Sequence, residues 1–425
     1  MKSLGVLWLI VFISLMGFGI TAVPFPLVAE QMGASNFWKT FGGAGVFSLF
    51  QLVATPLWGR WSDALGRKPI LLLSSAGSVL ACLWLAYADT LTSLIVARAF
   101  GGIMSGNLSA AFAYATDVTD VKNRARGLGI VASAFGVGFA VGPPLGGFLG
   151  SGDLGAPSLH WPALASAGLS LLALLGTAFL LEESLPPALR KPIGRRDGTT
   201  GAVSPPTAAP NVSRPSPFGA LAARPVLAGL ILATLVVAVG GGSMQSVFQF
   251  WGRDLFQFSL RDVGFQFMAF ALLSAAGQAG LIGPLARRLG EKPVAIASIV
   301  GITAGLLIFA LATRVWMVWF GIAVFGLANG LFLPSVTSLV SFEAEPRNRG
   351  AVMGLFNAAS SAGRIVGPAL SGPLYFNVGA SAPFIGSAVL AAIGALLLSR
   401  AQARPVDAGE DAAPSAPPPP GDAIG

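Results

Sequence analysis

Long apolar runs, broken by short polar turns, fill most of this chain. About 20 consecutive apolar residues, wound as a helix, cross the hydrocarbon core of a bilayer. Twelve stretches reach that length: 4–29, 38–58, 69–88, 91–115, 127–150, 161–181, 225–250, 263–285, 293–312, 315–340, 350–375 and 382–399. They are predicted as membrane-spanning helices and are numbered here as the first to the twelfth span. The run at 4–29 is too long for the apolar region of a secretory signal and many spans follow it, so it reads as a retained first helix. Two stretches break the rhythm. Residues 182–224 are rich in Pro, Gly, Ser, Thr and Arg and read as a flexible linker, and 401–425, with its proline run, reads as a disordered tail. The expected organisation is a six-helix bundle over 1–181, a linker over 182–224, a second six-helix bundle over 225–400 and a tail over 401–425.

Composition agrees with a membrane protein. The chain is 54% hydrophobic and 10% charged, where a soluble domain carries about 25% charged residues. Mean hydropathy is +0.74. The 55 glycines suit helices that approach one another closely in lipid. Cys82 is the sole cysteine and His160 the sole histidine. That excludes an intramolecular disulfide and leaves no plausible His/Cys metal cluster or Ser-His-Asp arrangement, so neither a cofactor, a metal nor an enzyme is expected.

The net charge of +8 raises nucleic acid as a partner, but the basic residues sit in turns between apolar runs, which is a topology signal instead. Lys39, Arg253, Arg261 and Arg314 fall on one side, Arg98 and Arg364 fall within spans, and all the other cations fall on the opposite side with both termini. The positive-inside rule then places both termini in the cytoplasm.

The most informative turn is Gly59-Arg60-Trp61-Ser62-Asp63-Ala64-Leu65-Gly66-Arg67-Lys68-Pro69. It returns half a chain later as Gly283-Pro284-Leu285-Ala286-Arg287-Arg288-Leu289-Gly290-Glu291-Lys292-Pro293. Arg124-Ala125-Arg126-Gly127 likewise pairs with Arg347-Asn348-Arg349-Gly350, and Gly138, Gly142-Pro143 and Gly147 pair with Gly363, Gly367-Pro368 and Gly372. Matched landmarks in the same order indicate a duplicated transporter.

On these residues the chain resembles the major facilitator superfamily. The turn at 59–69 is similar to that superfamily's loop between the second and third helices. Gly129, Gly138, Gly142, Pro143, Gly146 and Gly147 in the fifth span resemble the antiporter motif of its drug:proton antiporter branch, which includes tetracycline exporters. Gly19, Pro24-Phe25-Pro26, Arg98, Gly101 and Gly102 are also similar to that branch. The resemblance implies an all-α membrane protein with twelve helices in two pseudo-symmetric bundles. It further implies alternating access, protons and a small molecule as partners, a multi-pass place in the inner membrane among lipid, and a monomer.

Gly59, Asp63, Gly66, Arg67, Lys68, Asp117 and Arg126 form a candidate conformational latch. Asp63 is expected near the start of the eleventh span, whose helix dipole favours a carboxylate, and Arg67 and Arg126 can pair with Asp63, Asp117 or Asp120. The alternative is that these charges only set topology. The fifth-span glycines read either as a pivot or as ordinary close packing, and Pro143 removes a backbone donor there.

Charges inside the spans point to the substrate site. An arginine at a helix centre costs about 2.5–3.5 kcal/mol on insertion scales and therefore faces a cavity or a partner. Asn357, Ser361 and Arg364 share one face of the eleventh span. On the fourth span Arg98 shares a face with Ser105, and Asn107 is expected on the opposite one. Gln245, Gln249 and Asn329 complete the expected cavity, and Gly240-Gly241-Gly242 read as either a gate in the seventh span or a tight crossing. Carboxylates fall only near span ends, in loops or in tails, with no acid in the middle of the first span. Glu30 and Asp117 are left as candidates for proton coupling. Embedded arginines without embedded acids favour a neutral, amphipathic or anionic substrate. The expected function is export of small amphipathic compounds with proton coupling. The rival is an uncoupled uniporter or carrier of an organic anion or lipid.

Overall fold

A computed structural model describes residues 2–120, 123–151, 157–190, 225–344 and 349–400. The expected tail and residues 191–224 of the linker lie outside the described residues. Eleven helices among the described residues are long and apolar enough to cross a membrane: Ser3–Gln31, Asn36–Leu65, Arg67–Ala86, Leu91–Asp117, Gly127–Gly150, His160–Leu180, Val226–Phe256, Leu260–Leu289, Glu291–Leu311, Val315–Glu343 and Ala382–Arg400. They follow the predicted first to tenth and twelfth spans. The eleventh is the helix Arg349–Asn377, 29 residues long but less apolar because of its polar stripe. Long helices are the natural answer to such runs, since they satisfy every interior backbone group without water.

The ends show why the helices stop where they do. Gly66, at φ 110, and Gly290, at φ 85, turn the chain between the second and third spans and between the eighth and ninth. The duplicated charged turn therefore has the same glycine-dependent geometry in both halves. Thr90 caps the fourth span through Ser93 N, and Ser259 with Asp262 forms a capping box on the eighth.

Several irregularities were not legible in the apolar pattern. The first span is broken after Ala22 and resumes at Phe25. The fourth is interrupted by a 3-10 turn over Ser105–Asn107. The second and eighth carry π segments at Phe41–Gly45 and Gly277–Leu281. The seventh runs unbroken from Pro225 to Phe256 through its three glycines. A Cβ at Gly242 would stand 3.0 Å from Pro368 Cδ, a close crossing at that glycine, while Gly241 has open space around it. Residues 182–190, at the start of the expected linker, carry a short 3-10 turn at Pro187–Leu189, and Glu183 ties them to the third span.

Each half has its own apolar core. Leu7, Trp58, Leu71 and Tyr114 belong to one, and Phe248, Trp251, Phe309, Phe325 and Phe384 belong to the other. Large side chains such as Phe179, 81% exposed, turn outward, as expected where the neighbour is lipid rather than water. The halves meet along two seams: the fifth span packs on the eighth, and the second packs on the eleventh.

Glycines make those seams close. A Cβ at Gly142 would stand 2.7 Å from Met16 O, and one at Gly138 would meet Leu15 at 2.9 Å, so this face of the fifth span lies against the first. Gly146 faces Ile20 O on the same side, while Gly147 faces Leu260 O across the seam. The second half repeats the plan. Gly363 and Gly367 lie against Ala238 and Val239 of the seventh span, and Gly372 faces Asn36 O across the other seam. Gly129 has open space around it and takes no part in either contact.

Candidate functional site: a cavity between the two bundles

A cavity of about 700 Å³ lies between the bundles, beside a lobe of about 360 Å³ lined mostly by the first bundle and sharing several lining residues with it. The larger lobe is lined from both halves, with Phe18, Phe139, Phe267, Phe270, Phe325 and Phe332 among its aromatic wall. Gln249, Asn329, Asn357 and Ser360 line it as well. The smaller lobe carries Ser75, Ser78, Cys82, Ser105, Asn107 and Ser170. Arg98, Gln245 and Arg364 line both lobes.

The expected cavity residues are thus brought together, with two corrections. Ser361 does not line the cavity. Its Oγ accepts from Arg364 at 3.0 Å, beside Ser360 Oγ at 3.0 Å, so it braces the arginine. Asn107 lines the same lobe as Arg98 rather than the opposite face. The 3-10 turn between them advances more per residue than an α-helix and swings Asn107 round, where its amide donates to Ser74 Oγ. Cys82 was missed as a lining residue, since it sits in an apolar run with no polar periodicity to mark it.

Arg98 is buried at 5% exposure. Its NH2 donates to Thr21 O at 2.9 Å, and its guanidinium lies 4.8 Å from the Phe25 ring centroid and 5.9 Å from that of Phe18. This cation–π and carbonyl cradle explains how the charge is held away from water. His160 stands apart from the cavity: its Nδ1 is 3.1 Å from Ala86 O and its ring meets Tyr87 edge-on.

One end of the cavity is bridged. Glu30 Oε1 accepts from Lys39 at 3.0 Å, and Glu30 Oε2 accepts from Arg253 of the other half at 2.5 Å. Arg253 continues to Asp254 at 2.8 Å, and Tyr375 OH donates to Asp254 at 2.8 Å. Thr40 donates to Pro368 O at 2.8 Å, Asn36 to Asn377 at 3.1 Å, and Lys39 lies 4.2 Å over the Phe376 ring. Val23 and Leu27 of the first half join the second half's core beside them.

At the opposite end, the candidate latch makes its pairs within the first half. Arg67 donates to Asp63 at 2.6 Å, to Asp117 at 3.1 Å and to Ser62 at 3.0 Å. Lys68 donates to Ala178 O at 2.9 Å, and a Cβ at Gly59 would meet Ser109 Oγ at 3.7 Å, an ordinary contact. The side chain of Arg126 and the surroundings of Gly350 lie outside the described residues. Sequence reasoning missed Glu183, whose Oε1 accepts from Arg67 N at 2.9 Å and caps the third span. Its place just after the sixth span was the only signal.

Two apolar helical bundles, joined by glycine-lined seams around a cavity that one end seals, define a membrane transporter of small molecules. The sequence profile of the Major Facilitator Superfamily matches residues 7–282 and again 253–423. The chain belongs to that superfamily. It is 31% identical over 330 residues, 78% of each chain, to the class C tetracycline resistance protein of Escherichia coli. Its fold resembles that of the human organic anion transporter MFSD10, with TM-score 0.68 and 23% identity over 93% of this chain and 99% of that one. It also resembles a bacterial homologue of the lysosomal transporter Spinster in an inward-facing, occupied conformation, with TM-score 0.75 and 15% identity over 94% and 96%.

Proposed function

We propose that this protein exports small amphipathic compounds by proton-linked alternating access, as a monomer in the inner membrane with both termini in the cytoplasm. The observation that carries the reading is the asymmetry of the cavity. Cross-half contacts seal the end at Glu30 with Arg253, Asn36 with Asn377 and Thr40 with Pro368, while the ion pairs of Arg67 stay within one half at the other. With the termini inside, this conformation faces the cytoplasm. The aromatic wall suits an apolar body, and the similarity to a tetracycline resistance protein supports export.

Glu30 is the residue we assign to coupling. No carboxylate lines the cavity among the described residues, so a proton cannot be exchanged for substrate at a shared acid there. Protonating Glu30 removes the charge that Lys39 and Arg253 both grip and releases the sealed end. An uncoupled carrier is the second reading, favoured by that same lack of a cavity acid.

The test uses purified protein in liposomes with an acidic lumen and an enclosed pH dye. Proton efflux on adding a transported compound outside supports coupled exchange. Radiolabelled counterflow without proton movement would leave the uncoupled carrier.

A further inference from the structure

The cavity is lined by two cations and, among the described residues, by no Asp or Glu. The two are held differently. Arg364 donates to two hydroxyls of its own helix, neutral acceptors a turn away. Arg98 donates to one backbone carbonyl and rests on two phenyl rings, and its buried Nε has no acceptor. None of the ion pairs among the described residues includes either arginine. A guanidinium presents a planar fork of donors that fits the two oxygens of a carboxylate, sulfonate or phosphate. In a low-dielectric site such a fork attracts an anion far more strongly than it would in water. Conversely, two fixed positive charges repel a cationic substrate from the place it would have to occupy.

We infer that the cavity binds an amphipathic organic anion, with its acidic head on Arg98 in the smaller lobe. Apart from Arg364, the rest of that lobe offers neutral polar groups rather than further charge, including Ser75, Ser78 and Asn107. The apolar body lies along the aromatic wall of the larger lobe, and Arg364 supplies the second cation from the other half. The inference rests on the transporter reading and narrows its substrate to one charge class. Occupancy would then favour bringing the halves together around the anion, because its positive partners stand on both bundles.

The chain carries its own reporter. Cys82 is the only cysteine and lines the lobe that holds Arg98. Purified protein is treated with a sulfonate-bearing and a trimethylammonium-bearing methanethiosulfonate, each rate being normalised to that of a small free thiol. The sulfonate reagent is expected to react on the order of tenfold faster. That ratio should fall to near one in Arg98→Gln and fall partly in Arg364→Gln. Naphthoate should slow the reaction, and its methyl ester should not. Equal rates in the unaltered protein, or faster reaction of the cationic reagent, overturn the inference. If Cys82 is modified by neither reagent, Gln245→Cys in a Cys82→Ser background lines both lobes and is judged by the same outcomes.

The two readings fail separately. Anion preference at the thiol without counterflow of any compound removes transport and keeps the site. Counterflow of cationic compounds with charge-blind labelling removes the site and keeps transport.

Discussion

Glu30 and Arg253 stand 223 positions apart in the chain, and their side chains meet at 2.5 Å across the two bundles. The pair ties the end of the first span to the end of the seventh. It belongs to a chain of contacts from Lys39 through Glu30, Arg253 and Asp254 to Tyr375. Opening the sealed end must break it.

Replacing Glu30 by Gln should therefore populate the state open at this end. The pair is partly exposed, 26% at Glu30 and 41% at Arg253, so its loss is worth about 1 kcal/mol, a ratio change of roughly fivefold. Spin labels at Gln31 and Leu255, on a Cys82→Ser background, should show a longer-distance population growing in Glu30→Gln. The unaltered protein should show the same population growing as pH falls through the range where Glu30 takes up a proton, and Glu30→Gln should lose that pH response. Identical distance distributions at every pH in both proteins would remove Glu30 from the gate.

The fifth-span motif should split into sensitive and silent glycines. Gly147→Val places a side chain against Leu260 O at the seam between the halves, so liposome flux should be lost while the protein still purifies as a monodisperse species. Gly129→Ala meets open space and should leave flux intact, with a gain of up to about 1 kcal/mol from helix propensity. Equal damage from both would mean that the motif acts through something other than close approach.

Arg67→Gln should cost about 2 kcal/mol, because it removes three side-chain hydrogen bonds and leaves the partly buried Asp117 carboxylate with the Ser184 hydroxyl in place of a cation. Asp63→Asn should cost less, since Asp63 is 44% exposed and its partner keeps Asp117. Thermal unfolding in detergent gives both midpoints. The reverse order would show that the pair with Asp63 dominates.

The duplicated turn offers an internal control. Gly66→Ala meets both a φ of 110° and the Glu183 carboxylate, whereas Gly290→Ala meets a φ of 85° with nothing nearer than Pro293 Cδ at 3.8 Å. The second should cost about 1–3 kcal/mol of backbone strain, and the first clearly more. A melting curve for each variant decides it.

Much of the candidate site is legible in the amino-acid sequence. Arg98, Gln245, Gln249, Asn329, Asn357 and Arg364 stand out because polar residues are rare in apolar spans, and all line the cavity. Ser361 is misplaced by one residue, because a helical face read from spacing cannot separate adjacent serines at its edge. Asn107 is misplaced because a 3-10 turn changes the angle per residue and leaves no mark in the apolar pattern. Glu183 escapes notice because a carboxylate in a polar segment looks solvated until a partner is placed beside it.

The sequence by itself determined the spans, the division into two halves and the glycines along which the bundles approach. Those properties are local or periodic: hydrocarbon demands unbroken apolar helix, and a missing side chain limits packing wherever the helix lies. Tertiary structure alone decided that Glu30 faces Arg253, that Cys82 shares a lobe with Arg98, and that Arg67 pairs within its own half. A helix's own periodicity fixes which residues share a face, but not which neighbour that face meets. That depends on crossing angles and seams set by the packing of all the helices together.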